Sequence, residues 1–83
     1  MKINYKVLEN QPALLELLEV LMDNQHKYMS TLDLLTNGIL SPAAGIARLK
    51  QAGAIIKTIT RTVTDSSGRT RKRIAHYKIV GWV

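Results

Sequence analysis

The chain has 83 residues, 46% of them hydrophobic, no cysteine, and a net charge of +6. That length closes one hydrophobic core but not two, so a single domain over residues 1–83 is expected, and the apolar fraction excludes a wholly disordered chain. The lack of cysteine excludes disulfides, thiolate metal sites and thiol chemistry, and no apolar run nears the roughly 20 residues of a spanning helix, so cytoplasmic residence without a membrane partner is expected.

Residues 2–8 alternate Ile3, Tyr5 and Val7 with Lys2, Asn4 and Lys6, a period that predicts a short N-terminal strand. Pro12 suits a first helical turn, and Leu14, Leu15, Leu17, Leu18, Leu21 and Met22 form a wide apolar stripe opposite Glu16, Glu19 and Asp23. A first helix over about Pro12 to Asn24 follows, with a stripe wide enough to offer a dimer face as well as a core face. Gln25 to Met29 has no period and reads as a connection.

Ser30 with Asp33 three residues on resembles a capping box, which predicts a short second helix from Thr31 to about Thr36, stopped by Asn37-Gly38. Ile39 and Leu40 are both expected to tuck into the core. Ser41-Pro42 then reads as an N-cap followed by proline at the first helical position, and the third helix ends at Gly53. At about 100° per residue, Pro42, Ala43, Ile46 and Leu49 share one side of it and Ser41, Ala44, Arg48 and Gln51 the other. Gly45, inside the helix, predicts either a tight helix–helix contact or room for an incoming surface.

From Ala54 the β-branched content rises, and a long hairpin is expected around the turn Asp65-Ser66-Ser67-Gly68. If Thr64 pairs with Arg69, Ile56 lies across from Tyr77, Thr58 from Ala75, Thr60 from Arg73 and Thr62 from Arg71, a register that any bulge would alter. Trp82, near the end, either packs back on the core or supplies a dimer contact.

Charge is unevenly spread along these elements. Residues 1–40 hold three Lys and five Asp or Glu, whereas residues 41–83 hold nine Lys or Arg and one Asp. Five of the cations, Arg61, Arg69, Arg71, Lys72 and Arg73, flank the hairpin turn. Edge protection by charge would be served by mixed signs, so this single-sign excess points to phosphate contact. Arg48 and Gln51 carry the donors that bind guanine and adenine in a major groove. His26 and His76 are far apart with no carboxylate at ligand spacing, and no phosphate loop, nucleophile elbow or apolar carboxylate pair occurs. No metal, cofactor or enzymatic activity is therefore expected.

A short strand, three helices with a tight link between the last two, and a basic hairpin follow the order of an α+β winged helix-turn-helix. The stretch from about Leu14 to Ile79 resembles the small winged helix-turn-helix domains frequent in bacteriophage and prophage genomes. The resemblance lies in Ser30-Thr31-Leu32-Asp33-Leu34-Leu35, Gly38-Ile39-Leu40-Ser41-Pro42, Ala47-Arg48-Leu49-Lys50-Gln51-Ala52-Gly53 and Ala75-His76-Tyr77-Lys78-Ile79. It implies transcription regulation through double-stranded DNA, with the third helix in the major groove and the wing on backbone or minor groove. The expected DNA-binding residues are Ser41, Ala44, Arg48, Gln51, Arg61, Arg69, Arg71, Lys72 and Arg73. A homodimer, or an acidic protein docked on the basic hairpin, are the other partners left open; RNA is a further one, with single-strand recognition disfavoured by the few aromatic residues on the basic face.

Overall fold

The computed structural model describes residues 3–83. The first of them depart from the sequence expectation: Tyr5–Leu8 is one turn of 3-10 helix, and Lys2 of the expected strand lies outside the described residues. A local bond decides this, since the Asn4 side chain accepts from the Lys6 amide at 3.2 Å, and Leu8 rather than Tyr5 or Val7 becomes the buried residue.

Helix α1 (Pro12–Asp23) starts on Pro12 and buries Leu14, Leu17, Leu18 and Leu21. Leu15 and Met22, partly buried, also pack against the core cluster. The supposed connection contains a short strand, β1 (Met29–Ser30). It leads into α2 (Thr31–Thr36), where the expected capping box forms: the Ser30 hydroxyl accepts from the Asp33 amide at 2.9 Å, and Asp33 accepts from the Ser30 amide at 3.1 Å.

In the turn after α2, Ile39 is 7% exposed while Leu40 is 90% exposed, so only the first of the pair enters the core. The amide of Ile39 bonds the carbonyl of Leu34 at 3.0 Å and turns that side chain inward; its neighbour is thereby turned out. Helix α3 (Pro42–Ala52) buries Pro42, Ile46 and Leu49. Gly45 is the point where α3 meets α1, because a Cβ there would stand 2.6 Å from Leu17 Cδ2. The tight helix–helix contact is thus the role this glycine takes.

Gly53, at φ +125°, reverses the chain into β2 (Ala54–Thr64), which pairs with β3 (Thr70–Trp82) in an antiparallel sheet of order β1-β3-β2. Ala54, Ile56, Tyr77 and Ile79 close the core against the helices. Trp82 packs back, its indole against Gly53. The hairpin runs beyond the body, and the molecule measures 41 × 20 × 19 Å.

The register differs from the expected one. Ile56 pairs with Ile79, Thr58 with Tyr77, Thr60 with Ala75 and Arg61 with Ile74, two residues further along β3 than read from the sequence. One residue comes from the turn, where Thr64 pairs with Thr70 rather than Arg69. The other comes from a bulge in which Lys72 and Arg73 together oppose Thr62, with Arg73 at φ +57°. Two single shifts restore the side-chain alternation, so the body faces match the expected ones although every partner moves.

Candidate nucleic-acid interface

The side of α3 away from the core exposes Ala43, Ala44, Ala47, Arg48, Lys50 and Gln51. Buried Pro42, Ile46 and Leu49 fix this orientation, and the Gly45–Leu17 contact holds the helix against α1. Ser41 occupies the N-cap position, but its hydroxyl makes no capping bond, which leaves it at the open end of the helix. Ser41, Ala44 and Arg48 line a cleft of about 290 Å³ between α3 and the first half of α1, together with Leu40 and Glu16. Arg48 also reaches the adjoining depression that Gln51 and Gln11 line. The four helix residues expected to face DNA therefore lie together on one exposed surface.

The wing turn is built around Asp65. Its Oδ1 accepts from the Ser67 amide at 3.0 Å, the Ser67 hydroxyl at 2.6 Å and the Arg69 amide at 3.0 Å, while Oδ2 accepts from Arg71 Nε at 2.9 Å. The Asp65 amide donates to the Arg69 carbonyl at 2.9 Å, and Gly68 takes φ +84° to close the loop. The Ser67 hydroxyl first, and then Arg71, hold the Asp65 carboxyl well below the usual carboxylate range. A folded-state value below the unfolded one stabilises the turn above the ordinary carboxylate range, and that contribution fades as pH falls through and below it. In an acid titration followed by amide chemical shifts, Ser67 and Arg69 should hold their positions from pH 7 to about 4 and move only in stronger acid. Asp65→Asn should displace both signals already at pH 7.

Arg71 is thereby committed to the turn: its pair with Asp65 is the one ion pair among the described residues. Arg69 in the loop and Lys72 and Arg73 in the bulge are exposed and meet no carboxylate. Arg61 shares a sheet face with Val63, Ile74 and Arg71, and its guanidinium lies 5.8 Å from the centre of the Tyr28 ring. The five wing cations thus do not form one patch. Lys72 and Arg73 project beside Thr62, Arg69 marks the tip, and Arg61 and Arg71 occupy the other face.

That second face also holds Lys78, 5.7 Å from the Tyr28 ring, with Lys57 as its cross-strand partner. The sequence did not signal this grouping, because Tyr28 reaches the sheet only through the two-residue strand β1. His76 lies on the same face but is 7% exposed, between Ser30 of β1 and Ile59 of β2, with Nδ1 2.8 Å from the Ile74 carbonyl. It is a packed residue there and not part of the solvated surface with Lys57.

Three helices, a tight turn between α2 and α3, and a basic hairpin next to an exposed helix face form an arrangement that supports DNA binding. No helix among the described residues is long and apolar enough to cross a membrane. No curated protein and no solved structure matches the chain. The family described as winged helix-turn-helix domain matches residues 15–81, from the second turn of α1 to the end of the hairpin. The chain belongs to the winged helix-turn-helix domain family.

Proposed function

We propose that this protein binds double-stranded DNA as a transcriptional regulator of the bacteriophage and prophage type, with α3 in the major groove and the wing on the backbone or minor groove. One observation carries the reading. Arg69, Lys72 and Arg73 stand on the wing with no acidic partner among the described residues, while the single carboxylate nearby, Asp65, is spent on the turn and Arg71. An unneutralised cluster of this kind attracts a polyanion, and each phosphate it meets adds about 0.9 to the salt slope of duplex binding. Ser41, Ala44, Arg48 and Gln51 then face base edges, where Arg48 bonds guanine and Gln51 adenine. A single module of this size buries only about 600–1,000 Å² on DNA, so occupancy of a site uses two copies or a partner.

The test is selection from a random-duplex library followed by sequencing. Wild-type protein should enrich a motif, and Arg48→Ala should relax one position of it by about 1–3 kcal/mol of discrimination while retaining salt-sensitive binding to bulk DNA. Unchanged selectivity in Arg48→Ala would remove α3 from the reading role.

A specific observation favours a second reading, docking of an acidic protein. On the sheet face away from the helices, Ile55 is 46% and Val80 42% exposed, beside Lys57, Lys78 and Arg61. Binding to a protein partner that survives high salt, with no duplex binding at low salt, would favour it.

A further inference from the structure

We propose that Leu40, continued by Ala44 and Ala47, reads the C5-methyl groups of thymine, so that the preferred duplex places T·A pairs opposite the first half of α3. This rests on the DNA-binding reading and specifies its target.

Leu40 is the starting point. It is 90% exposed, while the residue before it, Ile39, is 7% exposed. A leucine side chain left in water gains nothing for the fold, and a covering surface would recover its burial. Its location narrows what that surface is. Leu40 precedes Ser41 at the N-cap of α3 and lines the same cleft as Ser41, Ala44 and Arg48. Along the exposed side of the helix Leu40, Ser41, Ala44 and Ala47 come first, with Ser41 the one polar side chain among them, and Arg48 and Gln51 follow.

The chemistry of the two halves differs. Arg48 and Gln51 have donors for guanine and adenine; leucine and alanine have neither donor nor acceptor, so they cannot distinguish base pairs by hydrogen bonds. The one apolar group that a base pair of ordinary DNA presents in the major groove is the thymine methyl. The apolar side chains at the leading end of a helix that enters that groove meet their complement only where thymines stand.

The test replaces each thymine of a selected duplex, one at a time, by 2′-deoxyuridine, which removes the methyl and keeps the pairing edge. Affinity is measured at fixed salt. One or two positions should bind roughly fourfold more weakly per lost methyl, with an unchanged salt slope because no charge is involved. Leu40→Ala should bind the thymine duplex more weakly and show little further loss with uracil at one of those positions. Its exposure predicts an unaltered melting temperature, measured alongside.

Indifference to uracil at every position, with selective binding intact, would overturn the methyl reading and leave the DNA reading standing. A uracil penalty that persists in full in Leu40→Ala would overturn the role of Leu40. Absence of salt-sensitive binding to any duplex would overturn both.

Discussion

Replacing Lys72 and Arg73 together by alanine should weaken binding to every duplex alike, by about 60-fold at 0.1 M salt, and should lower the salt slope by about 1.8. The size follows from two phosphate contacts at about 0.9 each, referred to 1 M salt, where the electrostatic advantage vanishes. Both side chains sit in the β3 bulge opposite Thr62, and neither meets a carboxylate among the described residues. Arg73 holds φ +57°, a conformation that favours glycine. Arginine at this position costs some backbone energy, which fits a site chosen for its charge rather than for the turn. Since both residues are exposed, stability should change by no more than about 0.5 kcal/mol, so lost affinity cannot be attributed to unfolding. Lys72→Arg with Arg73→Lys should keep the slope. A loss confined to one sequence would assign these residues to base reading.

Gly53→Ala should destabilise the fold by about 2–4 kcal/mol in denaturant unfolding. Two separate effects combine there. At φ +125° the backbone is in a region that side-chain-bearing residues rarely enter, and this conformation turns the end of α3 directly into β2. A Cβ would also stand 2.8 Å from Trp82 Nε1 and 3.2 Å from Cε2, against a ring packed on the core. Trp82→Ala removes the second effect but not the first. In a double-mutant cycle Gly53→Ala should therefore cost less on the Trp82→Ala background, with a residual near 1–3 kcal/mol from the backbone alone. An equal cost on both backgrounds would assign the whole effect to φ.

Elements set by short-range chemistry were legible in the sequence. The Ser30–Asp33 box pins the start of α2, Pro42 the start of α3 and Gly53 its end, and all three stand where read. The exposed row Ser41, Ala44, Arg48 and Gln51 followed from helical angle alone. Part of what failed depended on partners distant in the chain. β1 has two residues and exists as a strand only because Met29 and Ser30 pair with Tyr77 and His76. The alternation of Ile3, Tyr5 and Val7 gave a strand signal that the local bond from the Lys6 amide to the Asn4 side chain overrode.

The hairpin register shows why the wing was only half readable. Asp65 gathers Ser67, Arg69 and Arg71 around its carboxylate and lengthens the loop by one residue beyond the assumed pairing. The bulge at Lys72 and Arg73 adds another, and no glycine announces its positive φ. As a result the sequence grouped five cations as one surface, whereas the strands divide them between two faces and a tip. Arg71, read as a phosphate ligand, also pairs with Asp65 through Nε. Leu40 was assigned to the core by its hydrophobicity, and its exposure is decided by the Ile39 amide bonding back to Leu34.

The most direct measurement is the affinity of the protein for a mixed-sequence duplex across a range of salt concentrations. With Arg69, Lys72 and Arg73 free to meet phosphates, the logarithm of the association constant should fall against the logarithm of salt with a slope of about −2.5 to −3. A slope near zero, or no binding at about 50 mM salt, would contradict DNA binding through this surface.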